Sequence, residues 1–169
     1  MIKLISLLKE KSSKMKYEIY CDLDSVLVDF ERGYEELTGK NIKGNNVKGD
    51  KNFWQPITDK GVDFWKNLHW MPDGKQLWNY IKKYKPNILS APSRDKSSKI
   101  GKQMWVEINI PGFNLILTPA NLKQEYASPN SVLIDDRADN IQRWKDAGGI
   151  GILHSSSEDT IKQLEKLGI

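Results

Sequence analysis

The stretch YEIYCDLDSVLVDF, residues 17–30, places Asp22 and Asp24 at the end of an apolar run, with Asp29 shortly after. Carboxylates are expensive to bury, so something must offset their presence there. In extended chain, a two-residue spacing turns Asp22 and Asp24 to one side and Cys21 to the other. A second acidic pair, Asp135 and Asp136, follows SVLI, and Ser90 closes NILS in the same way. Four carboxylates in one cleft repel: at about 4 Å each like-charged pair costs about 4 kcal/mol at an effective dielectric near 20. A hard divalent cation removes that penalty, and Mg²⁺ suits a few carboxylates together with water and a substrate phosphate. Lys102 in GKQMWVE and Lys123 in TPANLKQE are the lysines best placed for phosphate oxygens. The combination points to phosphoryl transfer through an aspartyl nucleophile. Asp29 reads differently, as the cap of a helix beginning near Phe30.

These residues need elements that bring them together. YEIYC, PNILSA, FNLILT, SVLID and GIGIL each read as a short strand bounded by Pro, Gly, Asn or Ser. Amphipathic stretches at 73–85, 95–109, 137–147 and 157–167 read as helices between and after them, and AGG after Asp146 supplies a helix stop. Apolar strands alternating with helices predict an α/β fold: a three-layer, doubly wound parallel sheet covered on both faces. Ligands of such sheets bind outside the carboxyl ends of the strands, where Asp22, Ser90 and Asp135 fall. Residues 31–72 break the rhythm with TGKNIKGNNVKGDKNFWQ and the aromatic-rich FWQPITDKGVDFWKNLHW. They read as a small, mainly helical cap inserted after the first strand of a single domain spanning 17–169.

Charge and composition narrow the function classes. The net charge is +4, but residues 1–16 hold five lysines against one glutamate, so the remainder is balanced. Those residues read as a flexible basic extension, and the body offers no excess charge for nucleic acid, whose binding relies on neutralising many phosphates. No stretch approaches the roughly 20 apolar residues of a membrane span. A lone cysteine, Cys21, rules out an internal disulfide framework and fits a cytoplasmic setting.

The order DLDSVLVDF, LSAP, lysine, LIDDRADNIQRWKDAGG resembles the haloacid dehalogenase superfamily of phosphatases over roughly residues 17–154. More narrowly it is similar to the 5'(3')-deoxyribonucleotidase group, which includes phage and bacterial members. The resemblance implies a Mg²⁺-dependent phosphatase acting on a small-molecule nucleotide. Asp22 would attack phosphorus, and Asp24 would protonate the leaving hydroxyl and then activate water. Mg²⁺ would be held by Asp22, the Asp24 backbone carbonyl and one of Asp135 and Asp136, with Asp135 favoured. Ser90, the Ala91 backbone and Lys123 would hold the phosphoryl oxygens, Lys102 would be a second phosphate-facing lysine, and Phe30 would pack on the nucleobase. Ser25 stands where the family usually has Gly, and an arginine expected near Lys123 has no clear counterpart.

Other readings compete. The same chemistry would serve a polynucleotide 3'-phosphate or a small metabolite. A phospho-accepting signalling receiver is also a parallel α/β domain with acids, Ser/Thr and Lys, but there the paired acids come early and no insertion follows the first strand. His69 and His154 read as structural. The aromatics Phe53, Trp54, Phe64, Trp65, Trp70 and Trp78 supply an insertion with its own core, with Phe53 or Trp54 the ones expected to reach substrate.

Overall fold

The computed structural model describes residues 17–42 and 52–169. The expected basic extension at 1–16 and the Gly/Asn/Lys-rich run at 43–51 lie outside the described residues. Five short strands form one parallel sheet: β1 (Glu18–Cys21), β2 (Asn87–Ser90), β3 (Leu115–Leu117), β4 (Ser131–Asp135) and β5 (Ile150–Leu153), in the order β3-β2-β1-β4-β5. Helices α1 (Phe30–Thr38), α2 (Gln55–Lys60), α3 (Val62–Lys66) and α4 (Gly74–Ile81) lie between β1 and β2. Helix α5 (Lys96–Asn109) joins β2 to β3, α6 (Ala138–Asp146) joins β4 to β5, and α7 (Ser157–Lys166) ends the chain. A 3₁₀ segment, Ala120–Tyr126, sits between β3 and β4.

Strand alternation sorts the core into two layers. Ile19, Cys21, Ile88, Val132 and Ile134 face one way, against Leu77 and Ile81 of α4, Trp105 and Val106 of α5 and Leu164 of α7. Tyr20, Leu89 and Leu133 face the other, against Ile141 and Trp144 of α6. All are buried, which is why the strands read as continuous apolar runs. The expected three-layer α/β sheet is the observed one.

Register then fixes the chemistry. Cys21 pairs with Ile88 on one side and Ile134 on the other, so Asp22 and Asp135 leave the sheet at the same level. The Asp22 amide continues the ladder by donating to the Ile134 carbonyl at 2.8 Å. From β1 the chain winds outward through β2 to β3, then crosses to β4 and β5 on the opposite side. The crevice between the ends of β1 and β4 is therefore the topological switch point.

After β1 the chain makes a tight loop, with the Leu23 carbonyl accepting from the Leu27 and Val28 amides at 2.9 Å each. Ser25 takes φ 61°, in the left-handed region that glycine occupies without strain. Asp29 caps α1 by accepting from the Arg32 amide at 3.0 Å. The chain returns to this loop at residues 69–71: the Asp29 amide donates to the His69 carbonyl and the Met71 amide to the Leu27 carbonyl, both at 2.8 Å. Helix α5 holds the return, since the Trp105 indole donates to the Leu68 carbonyl at 2.8 Å. Gly101 permits its closeness to α3: a Cβ there would lie 2.3 Å from the Cβ of Trp65.

Candidate active site

The carboxyl ends of β1, β2 and β4 open into a cleft of about 770 Å³. Asp22, Asp24, Lys123 and Asp136 form its polar floor, Ala91, Pro92 and Pro119 one edge, and Phe30, Trp54, Ile57 and Trp65 an apolar wall. The volume lies in the range of small-molecule sites, which combine apolar walls with a few convergent polar groups.

Asp22 is nearly buried, and its Oδ1 accepts from the Leu23 amide at 2.8 Å and faces Lys123 Nζ at 3.0 Å. Its Oδ2 carries no hydrogen bond from the described residues. Lys123 Nζ also donates to Asp135 Oδ2 at 2.7 Å. Burial works against the Lys123 ammonium, but the Asp22 and Asp135 carboxylates outweigh it and hold its pKa above the ordinary value. A lysine so placed stays charged beside the two acids.

Asp135 is fully buried and its oxygens are occupied. Oδ1 accepts from the Arg137 amide at 2.9 Å and from Asn140 at 3.0 Å, and Oδ2 accepts from Asn140 at 3.0 Å and from Lys123. Two bonds to each oxygen fill a carboxylate's acceptor capacity. Arg143 fixes the Asn140 amide by donating to its Oδ1 at 2.7 Å. Asp136 is the contrasting member: it lines the cleft, is partly exposed, and has no lysine or arginine within ion-pairing distance among the described residues. Burial first, then the charges of Asp22 and Asp135, push its pKa up to about 7. Oxygens of Asp22, Asp135 and Asp136 lie within 4.8 Å of one another. An all-oxygen donor set crowded with negative charge fits Mg²⁺. Of the pair, Asp135 has its lone pairs taken by Arg137, Asn140 and Lys123, and Asp136 is the one turned to the cleft.

At the end of β2, Ser90 is fully buried and Ala91 reaches the cleft edge. Lys102, on α5, is 1% exposed and donates to Ser90 Oγ at 2.9 Å, the Ala91 carbonyl at 2.8 Å and Asp24 Oδ2 at 2.5 Å. Ser90 and Lys102, expected to hold phosphoryl oxygens, therefore lie beneath the cleft floor, bonded to each other.

Phe30 opens α1 and is the hub of the aromatic wall, with ring centroids of Trp65, Phe64 and Trp54 at 5.7, 5.6 and 6.2 Å. Trp54 is 44% exposed at the cleft mouth. Phe53 is a correction: it is 1% exposed, stacked on Tyr34 at 4.5 Å, and belongs to the core. His154 accepts or donates at Thr160 Oγ1, 2.8 Å away, and His69 faces Glu36; neither borders the cleft.

Asn140, Trp65 and Arg94 are among the cleft residues that the sequence did not single out. Asn140 stands five residues after Asp135 in the first turn of α6, a position that returns its amide to the strand end. Trp65 was assigned to core alone, yet it is both buried and part of the wall. Arg94 follows LSAP, and it lines the cleft with no ion pair to the described residues, whereas Arg137 is held by Asp139 at 2.8 Å. Nothing in its local pattern distinguishes Arg94 from a surface arginine.

No family model matches this chain, and no curated protein matches it. Solved structures do. A hydrolase from Streptococcus pneumoniae TIGR4 superposes with a TM-score of 0.55 at 16% identity, covering 89% of this chain and 100% of that one. A haloacid dehalogenase (HAD) family enzyme from Bacteroides thetaiotaomicron, solved as a magnesium complex, gives 0.52 at 16% identity, covering 88% and 98%. A HAD family hydrolase from Deinococcus radiodurans R1, with bound phosphate and sodium, gives 0.50 at 13% identity, covering 89% and 87%. At these identities the likeness shows a shared HAD-like fold.

Proposed function

We propose that this protein is a Mg²⁺-dependent phosphomonoesterase that hydrolyses nucleoside monophosphates, deoxy forms included, through an aspartyl-phosphate. The observation that carries this reading is the convergence of Asp22, Lys123 and Asp136 at the switch-point crevice beneath an aromatic wall. The magnesium and the phosphate recorded in two structures of the same fold support it.

In this mechanism Asp22, Asp136 and the Asp24 backbone carbonyl would hold Mg²⁺, which would supply charge neutralisation and Lewis acidity. Asp22 Oδ2, which accepts no hydrogen bond from the described residues, attacks phosphorus while the bond to the sugar oxygen breaks. Asp24 gives that oxygen its proton. The Asp24 carboxylate then takes a proton from water, the hydroxide oxygen attacks phosphorus, and the phosphorus–Asp22 bond breaks to release inorganic phosphate. Lys123 faces the charge on Asp22 and the equatorial phosphoryl oxygens, and the Ala91 backbone borders the same region. Phe30 and Trp54 offer apolar faces for a base, and Arg94 offers a cation to the rest of the substrate. Within the expected cap insertion, Trp54, Ile57, Thr58 and Trp65 line the cleft and would exclude water from it, and a cleft of about 770 Å³ suits a mononucleotide.

The test is phosphate release from a panel of nucleoside and deoxynucleoside monophosphates, with Mg²⁺ or EDTA. Turnover that needs Mg²⁺ and favours nucleotides over small non-aromatic phosphate esters is expected. Equal rates on both classes would reject the nucleotide assignment, and no release from any ester would reject the chemistry.

A further inference from the structure

We propose that Lys102 is a positioning residue for Asp24, fixing the orientation of the acid–base carboxylate, and does not grip the transferred phosphoryl group. The inference rests on the phosphatase reading above.

An ammonium has three protons to donate, and those of Lys102 are spent on Asp24 Oδ2, Ser90 Oγ and the Ala91 carbonyl. The side chain is 1% exposed and is not part of the cleft surface. Its Nζ lies 5.4 Å from the centre of the Trp65 ring, a cation–π contact that further holds it in place. Reaching a phosphoryl oxygen would mean leaving a buried acceptor unpaired. Among the described residues Asp24 has this one side-chain contact: its Oδ1 is buried with no partner there, and Oδ2 is bonded to Lys102. The two lysines thus divide the work, Lys123 attending the nucleophile and Lys102 the acid–base group. Lys102 also ties Asp24 to the tip of β2 and, through Trp65, to α3, so the acid is aimed by the same packing that builds the cleft wall.

A residue that acts through a general acid matters most when the leaving group needs a proton. An alkoxide leaving from a nucleoside 5'-phosphate needs one, and the aryloxide of p-nitrophenyl phosphate leaves without it. The experiment compares kcat/KM for both esters in Lys102→Met, Lys102→Arg, Asp24→Asn and the Lys102→Met/Asp24→Asn double variant, with melting curves for each. Because general acid catalysis is worth about 10²–10⁴-fold, Lys102→Met should lose about 10²-fold or more on the nucleotide and less than about 10-fold on the aryl ester. Lys102→Arg should recover part of the nucleotide loss, and the double variant should be no slower than Asp24→Asn alone. Equal losses on both esters, or independent losses in the double variant, would overturn the inference. If Lys102→Met does not fold, Lys102→Arg and Lys102→Gln carry the same comparison between esters. A wild-type chain that cleaves neither ester overturns the phosphatase reading and this inference with it, which separates that failure from an error about Lys102 alone.

Discussion

Asp136 is a carboxylate held at a disadvantage, and removing its charge should stabilise the metal-free protein. Its pKa stands at about 7 in the fold against an ordinary 3.8, a shift caused first by burial and then by Asp22 and Asp135. Between those values the folded chain holds a proton that the unfolded chain has lost, so stability falls as pH rises from 4 to 7. At 1.36 kcal/mol per pKa unit the penalty above pH 7 would be about 4 kcal/mol. Asp136 is partly exposed, and solvent screening brings this to roughly 1–2 kcal/mol. Asp136→Asn should therefore melt roughly 2–8 °C above wild type at pH 8 in EDTA, using about 2–4 °C per kcal/mol for a chain of this size. At pH 4.5 the gap should nearly close. Saturating Mg²⁺ should raise the wild-type melting temperature, since ligand at 100 times its Kd contributes about 2.7 kcal/mol, and should leave the variant almost unmoved. Differential scanning calorimetry in the two buffers reads all of this. A variant that melts no higher than wild type at pH 8, or that gains as much from Mg²⁺, would refute the assignment of Asp136 as the crowded, metal-facing acid.

The neighbouring aromatics should separate by role. Trp54→Ala should raise KM for nucleotides about 10-fold with little change in melting, as stacking on an aromatic is worth about 1–3 kcal/mol per base, whereas Phe53→Ala should cost about 3–5 kcal/mol of stability. The reverse pattern in kinetics and melting would show the two rings wrongly assigned. Ser25→Gly should be close to neutral, because relief of about 1–2 kcal/mol of left-handed strain is offset by about 0.5–1 kcal/mol of added chain entropy. Ser25→Val at the same φ of 61° should lower the denaturant midpoint clearly, and a neutral valine would contradict a left-handed residue in this turn. Gly101→Ala puts a Cβ 2.3 Å from that of Trp65, so it should cost about 1–3 kcal/mol by overpacking and lower kcat by moving α5 and Lys102; an unchanged melting curve would contradict the close packing.

Much of the fold was legible because short strands buried on both faces leave an unambiguous mark: IYC, ILS, LIL, VLID and GIL are apolar runs with turn residues at both ends. The acids were legible for a related reason. A carboxylate directly after such a run has no cheap structural use, so Asp22 and the Asp135–Asp136 pair stood out before any register was known. What sequence could not resolve was direction. Asp135 and Asp136 are adjacent and chemically identical, and only the pleat sends one inward to Asn140 and Lys123 and the other to the cleft. The same holds for Phe53 and Trp54, and for Lys102, whose helix presents it to the underside of the loop holding Asp24. Asn140 and Arg94 escaped notice because an amide in a helix turn and an arginine after a loop are common in any chain.

The central claim is that the Asp22 carboxylate becomes esterified to phosphate during turnover. Quenching the protein in steady-state turnover with tritiated borohydride, which reduces an acyl phosphate to the alcohol, and mapping the labelled peptide reads this directly. The account predicts label at residue 22, converted to homoserine, dependent on both substrate and Mg²⁺ and absent in Asp22→Asn. Sustained phosphate release with no label at that position, or with label on another acid, would contradict it.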